Sequence, residues 1–122
     1  MDKKPQGIAR ITKAFGYSLR GLAATYKNEA AFRQELWLYA VLFPIILLLP
    51  ASTTDKMLLF AVNTLVLIVE LLNSAIEAIV DMASPDYHRL AGMAKDIGSA
   101  AVLISLLLVA TLWTIVILRC YF

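Results

Sequence analysis

Residues 69–81 read VELLNSAIEAIVD, and the chain before them is almost entirely apolar back to Met57. The stretch nevertheless carries three carboxylates and two other polar side chains, spaced so that a helix would place them all on one face. This polar stripe consists of Glu70, Asn73, Ser74, Glu77 and Asp81. Ionised groups inside a membrane cost about 3 kcal/mol or more, so they usually face a protein interior and mark function. Hydrogen bonding between helices is the structural alternative, but the stripe contains no basic partner for its acids.

The composition indicates a membrane protein. Hydrophobic residues make up 61% of the 122 residues and charged residues 16%, whereas soluble domains are about half apolar and a quarter charged. The excess apolar surface is therefore suited to contact with lipid. The length predicts a single domain over residues 1–122, and the lone Cys120 excludes an intrachain disulfide.

Three segments are long and apolar enough to cross a bilayer, which takes about 20 residues. The predicted spans are about 30–49, 57–80 and 97–118, joined by a turn at 50–56 and a polar loop at 81–96. Pro44 lies in the first span, where we expect a kink and not a helix end. The basic N-terminal arm should stay cytoplasmic, which makes the 81–96 loop cytoplasmic and puts the C-terminus on the opposite side of the membrane.

The N-terminal segment, about 6–28, predicts an amphipathic helix on the membrane surface. Seven of the eleven Lys and Arg residues lie in the first 33 positions. At about 100° per residue, the apolar stripe contains Ile8, Ile11, Phe15, Leu19, Leu22 and Tyr26, and the other side contains Arg10, Lys13, Tyr17, Arg20 and Lys27. A cationic face opposite an apolar one is typical of interfacial helices, and we expect no nucleic-acid partner.

Two further clusters border the predicted cytoplasmic side. In NEAAFRQE (residues 28–35), Glu29 and Arg33 could form an ion pair at i and i+4; alternatively, Glu29 could join Glu77 in a two-carboxylate site for Mg²⁺. In AKDIGSAAV (residues 94–102), Lys95 and Asp96 precede small residues that permit close helix approach. A snorkelling lysine with a helix-starting aspartate is the simpler interpretation of that pair.

From the residues alone, two classes of function stay open. The sequence has no GxxxxGK[ST] loop, no GxGxxG and a single histidine, so standard phosphate loops and a serine–histidine triad are not indicated. A metal-using enzyme at the membrane surface and a cation or proton conductor would both use buried acids. Polar groups gathered on one side of the membrane favour an enzyme that binds an anionic soluble ligand. Three helices cannot shield all these polar groups, so we expect a homo-oligomer.

The segments GYSLRGL, NEAAFRQE, VELLNSAIEAIVD and AKDIGSAAVL, in their order and spacing, resemble the prokaryotic integral-membrane diacylglycerol kinases of Gram-negative inner membranes. The resemblance implies an all-α membrane protein with three transmembrane helices and an N-terminal amphipathic interfacial helix, assembled as a homotrimer with shared active sites. It implies transfer of the γ-phosphoryl group of ATP, with Mg²⁺, to diacylglycerol, giving phosphatidic acid. Undecaprenol, the substrate of related kinases, is the alternative.

The resemblance also implies residue roles. Glu70 would be the general base and Asn73 would orient the reacting groups, while Glu29 and Glu77 would hold the metal. The implied ATP-binding positions are Arg10, Tyr17, Glu29, Glu77, Asp86, Tyr87, His88, Lys95 and Asp96. The implied lipid-substrate positions are Ala14, Phe15, Gly16, Tyr17, Ser18, Leu19, Ala31, Phe32, Arg33, Gln34, Glu35, Lys56, Glu70 and Ser99. Asp81 receives no role beyond that of a charge at a helix end.

Overall fold

The chain folds into four helices. The computed structural model describes residues 6–84, Asp86 and residues 88–122. The helices are α1 (Ile8–Asn28), α2 (Ala30–Leu48), α3 (Thr53–Ala83) and α4 (Arg89–Tyr121). The prediction of an all-helical chain is confirmed.

Helices α2, α3 and α4 are each long and apolar enough to cross a membrane. Helix α2 continues through Pro44 to Leu48, as predicted. Among the described residues, few hydrophobic side chains are buried, and large ones such as Leu48 (84% exposed) point outward along the bundle. A soluble protein of this size would bury most of its large apolar side chains, so this outward surface is suited to lipid or to other subunits.

Helix α3 is the central element, because it packs against all three other helices. Its buried positions recur every three or four residues: Asp55, Leu59, Val62, Asn63, Val66 and Glu70. Leu59 packs with Ile46, Leu49 and Val116 in an apolar cluster at one end of the bundle. Glu70, eleven residues further along α3, lies about 16 Å away at 1.5 Å per residue. The apolar core and the acidic stripe therefore occupy different levels of the bundle.

Side-chain hydrogen bonds tie the helices together between these two levels. The indole Nε1 of Trp113 donates to Oδ1 of Asn63 at 3.0 Å, which joins α4 to α3. The hydroxyls of Tyr39 and Thr64 lie 3.1 Å apart and join α2 to α3. Buried polar groups in a membrane bundle need such partners because neither lipid nor apolar side chains can supply them.

Glu29 forms the corner between α1 and α2. Its backbone is extended (φ −119°, ψ 107°), and its N–H donates to the carbonyl of Thr25, which ends α1. The Arg33 guanidinium donates to the carbonyls of Tyr26 (2.7 Å) and Lys27 (2.9 Å). These carbonyls have no partner inside the helix, so Arg33 caps α1. The alternative Glu29–Arg33 ion pair is not among the salt bridges of the described residues.

The connection between α2 and α3 is shorter than the predicted turn at 50–56. Helix α3 begins at Thr53, because the Oγ of Ser52 accepts from the backbone N–H of Asp55 at 3.1 Å and caps the helix. The Nζ of Lys56 donates to the carbonyl of Leu47 at 2.8 Å, at the end of α2. The buried Asp55 carboxylate lies 3.5 Å from the guanidinium of Arg119.

The polar segment predicted as a loop over 81–96 is mostly helical. Helix α3 runs to Ala83 and α4 begins at Arg89, where Nδ1 of His88 accepts from the N–H of Leu90 at 3.1 Å and caps the helix. A 31-residue helix is about 46 Å long, longer than the ~30 Å hydrocarbon layer. Polar side chains at its end can therefore lie beyond the lipid without ending the helix.

The apolar stripe of α1 is uncovered. None of its residues is buried, and Ile8 is 83% exposed, with Ile11 and Phe15 also largely exposed. Helix α1 contacts α2 and α3, and the indole Nε1 of Trp37 donates to the hydroxyl of Tyr26 at 3.1 Å. A location on the membrane surface would bury this stripe, but that location stays a prediction.

Candidate active site

The acidic site is centred on Glu70. This residue is 6% exposed, although it lies on a helix of membrane-spanning length and composition. Its acidic neighbours are Glu35 of α2, Glu77 of α3 and Glu29 at the α1–α2 corner. Four acids from α2, α3 and the α1–α2 corner are therefore gathered at one level of the bundle.

Asn73 and Glu77 are linked on the side of α3 that faces α4. The Nδ2 of Asn73 donates to Oε1 of Glu77 at 3.3 Å. The Oδ1 of the same amide is buried with no hydrogen-bond partner and points toward Gly98 of α4. The side chain that was predicted to orient reacting groups thus contacts one of the two predicted metal ligands.

Asp81, the least explained acid of the stripe, pairs with Lys95. Its Oδ1 lies 2.5 Å from Nζ of Lys95, so the pair bridges α3 and α4 beside the short connection between them. Glu77 lies within electrostatic reach of the same ammonium. The lysine predicted to contact nucleotide therefore stands next to the acidic site, and Asp81 is more than a charge at a helix end.

Ser74 faces a different direction from Asn73. It lines an open cleft of about 640 Å³ between α1 and α3. The walls of the cleft are mainly small or apolar; its lining consists of Ser18, Gly21, Leu22, Ala24, Thr25, Asn28, Glu29, Leu71, Ser74, Ala75 and Ala78. The polar stripe predicted from spacing is therefore divided between a face toward α4 and a face toward α1.

Carboxylate oxygens, which this region supplies, are the donors that a hard cation prefers. Across residues 6–84, 86 and 88–122, no three His, Cys, Asp or Glu side chains converge as a ready-made metal site. Magnesium is commonly held by one or two carboxylates, with water and substrate phosphates supplying the other ligands. The hydrogen bond from Asn73 to Glu77 is the kind of supporting contact that fixes a carboxylate ligand.

Similarity to known proteins extends over nearly the whole chain. The family described as prokaryotic diacylglycerol kinase matches residues 16–117. The diacylglycerol kinase of Pseudomonas aeruginosa is 47% identical over 116 residues, which cover 95% of this chain and 94% of that protein. The Escherichia coli K12 diacylglycerol kinase is 47% identical, with 96% of each chain covered. The Helicobacter pylori J99 protein of the same name is 39% identical, over 98% of this chain and 93% of its own.

The chain belongs to the prokaryotic diacylglycerol kinase family. The resemblance predicted from its motifs is thereby confirmed. With three helices able to cross a membrane, this family member is a multi-pass membrane protein.

The nucleotide positions expected of a prokaryotic diacylglycerol kinase are only partly gathered. Lys95 and Asp96 lie on the first turns of α4, on the Glu77 side of the bundle. His88 uses its Nδ1 as a helix cap, and Asp86 is exposed beside it. On α1, Arg10 is exposed and the ring of Tyr17 lies 4.9 Å from the Arg20 guanidinium. Tyr87 lies outside the described residues.

The expected lipid positions are spread over three levels. Glu35 accompanies Glu70, while the strip from Ala14 to Leu19 lies on the largely exposed α1. Phe32 is only 1% exposed and belongs to the core. Lys56 is fourteen residues from Glu70 on α3, about 21 Å along the helix. The remaining members lie near the start of α2 and on α4: Ala31, Arg33, Gln34 and Ser99.

Two features of this diacylglycerol kinase family member were not predicted from its sequence. The Asp81–Lys95 pair was not predicted, because both residues belong to the segment 81–96 that the sequence predicted as a loop. The contact between Asn73 and Gly98 had a partial signal, since the small residues after Asp96 predicted a close helix approach. Periodicity could not say which helix, or which side chain, would make that approach.

Proposed function

We propose that this chain phosphorylates diacylglycerol at the cytoplasmic face of the inner membrane, with ATP as phosphoryl donor and phosphatidic acid as product. Membership of the family and the names of the relatives support the lipid substrate. The observation that carries the proposal is the burial of the Glu70 side chain on a helix of membrane-spanning character. Such a group is costly in a membrane and usually marks a functional site.

Glu70 acts as the general base. A free lipid hydroxyl attacks the γ-phosphorus of ATP, the bond between that phosphorus and the β–γ bridging oxygen breaks, and ADP leaves. The hydroxyl proton passes to the Glu70 carboxylate. A carboxylate held beside the lipid hydroxyl is a suitable general base for this step.

Glu29 and Glu77 hold Mg²⁺ together with the ATP phosphates. When bound, the metal neutralises the charge of the transferring phosphoryl group. Asn73 fixes the Glu77 carboxylate through its Nδ2–H. Lys95 adds a positive charge at the same level. Phosphoryl transfer depends mainly on positioning and charge neutralisation, so these groups are a sufficient set.

The active unit is a homotrimer with sites shared between subunits, and α1 lies along the cytoplasmic surface. The outward apolar surface of the bundle and the uncovered stripe of α1 support this arrangement. The N-terminus is cytoplasmic and the C-terminus periplasmic, as the basic residues of the N-terminal arm favour. The acidic site then lies where soluble ATP meets the lipid.

Labelled ATP supplied with diacylglycerol or with undecaprenol in mixed micelles tests the substrate. We expect phosphatidic acid to form much faster than undecaprenyl phosphate. Faster labelling of undecaprenol would assign the chain to the related activity. Absence of both products, with ion flux in liposomes that Glu70→Gln abolishes, would favour the conductor.

A further inference from the structure

We propose that Gly98 is a positioning residue of the proposed metal site, because its missing side chain lets α4 hold the Asn73 amide against Glu77. This inference rests on the proposed function and extends it to α4. In this arrangement Gly98 couples α4 to the Glu77 carboxylate on α3.

The space at Gly98 is occupied by the amide. Gly98 is buried, and a Cβ added there would lie 2.2 Å from Oδ1 and 3.3 Å from Cγ of Asn73. A distance of 2.2 Å is shorter than real Cβ atoms show to any neighbouring heavy atom, so one of the two groups must move. The next atom within reach, Cδ1 of Ile76, is at an ordinary 3.9 Å. The obstacle to an alanine is thus the Asn73 side chain and not the backbone of α3.

Contacts on both sides fix the orientation of that amide. The Nδ2 group donates to Oε1 of Glu77, and the opposite assignment would set two oxygens against each other. The Oδ1 atom, buried without a hydrogen-bond partner, points into the space that a Cβ at position 98 would occupy. An alanine at position 98 would displace either amide atom, so the side chain must swing away from α4 and release Glu77.

The consequence is weaker metal binding with the fold retained. Because the overlap involves the end of a side chain, Gly98→Ala moves Asn73 without forcing α3 and α4 apart. Loss of a supporting contact to a metal ligand typically costs 10- to 100-fold in metal affinity. We expect Gly98→Ala to weaken Mn²⁺ binding by about tenfold, measured by electron paramagnetic resonance of free Mn²⁺ with a non-hydrolysable ATP analogue and the detergent-solubilised protein.

A double-mutant cycle separates this role from general packing. Asn73→Ala alone should weaken Mn²⁺ binding to a similar extent, because Glu77 loses the same contact. Adding Gly98→Ala to Asn73→Ala should cause no further loss, since the new methyl group then meets no amide. Ile104→Val is the control: it changes one carbon at a 67%-exposed position of α4 and should bind Mn²⁺ as the wild type does.

Each other outcome is decisive. Wild-type Mn²⁺ affinity in Gly98→Ala, or losses that multiply in the double variant, would overturn the proposal. If Gly98→Ala fails to fold, the double variant decides. Folding with the Mn²⁺ affinity of Asn73→Ala supports the proposal, whereas failure to fold means that Gly98 serves backbone packing alone and overturns it. A wild type that binds Mn²⁺ but phosphorylates no lipid would refute the proposed function and leave this inference standing.

Discussion

The ammonium of Lys95 lies 2.5 Å from the carboxylate of Asp81 and joins the end of α3 to the start of α4. Both side chains are partly exposed, and exposed pairs contribute about 1 kcal/mol or less to stability. The pair is therefore of more interest for the charge it presents than for the stability it adds. Without nucleotide, Asp81 neutralises the cation that we propose for the ATP phosphates.

Asp81→Asn should free Lys95 and strengthen ATP binding. We expect the KM for ATP to fall about two- to fivefold, because the ion pair that competes with the ATP phosphates for Lys95 is lost. Lys95→Met should raise that KM and lower turnover. Steady-state kinetics at saturating lipid measure both. An unchanged or raised KM in Asp81→Asn would mean that Asp81 positions Lys95 and does not compete for it.

Glu70→Gln should abolish turnover and keep ATP binding. A missing general base lowers kcat by about 100-fold or more, while the neutral amide occupies the same space. Equilibrium binding of labelled ATP and a phosphatidic-acid assay separate the two effects. Asp55→Asn is the matched control, because Asp55 is the other buried carboxylate of α3 and lies in its first turn, far from Glu70. Equal activity losses in both variants would refute the base assignment.

Glu77→Gln should raise the magnesium concentration needed for half-maximal activity by more than about tenfold, because a neutral amide replaces a metal ligand. Loss of a contact that only supports a ligand already lowers metal affinity by about tenfold or more. The apparent KM for ATP should rise with it. Glu35→Gln is the control. Glu35 is also an acidic neighbour of Glu70, but the Glu35→Gln variant should have the magnesium requirement of the wild type. Magnesium titrations of the two variants give the comparison, and identical curves would contradict the metal assignment of Glu77.

Trp113→Phe should destabilise the bundle by about 1 kcal/mol, because Oδ1 of Asn63 loses its indole donor inside an apolar interior. Replacing both groups, as Asn63→Leu with Trp113→Phe, should recover part of the loss, since no buried oxygen is then left unpaired. Titration with SDS, followed through the fluorescence of Trp37, measures both. A double variant less stable than Trp113→Phe would show that shape and not hydrogen bonding dominates.

Hydrophobic patterning determined the number of helices and the length of the apolar segments. Long uncharged runs on both sides of Pro44 and after Ile97 allow few other structures, and spacing was enough to gather the acids of VELLNSAIEAIVD near one face. Helix ends were predicted less well. Ser52 and His88 act as caps, and polar residues just beyond an apolar run continue a helix as readily as they end it.

Periodicity on one helix says nothing about what lies opposite, so the tertiary structure alone decided the partners. Packing of α3 between α1 and α4 sends Ser74 to the cleft and Asn73 to Gly98, although both lie on the stripe predicted from spacing. The same packing pairs Asp81 with Lys95 across fourteen positions of sequence. Composition placed carboxylates in an apolar helix; the contacts between helices determine which of them are held, paired or buried.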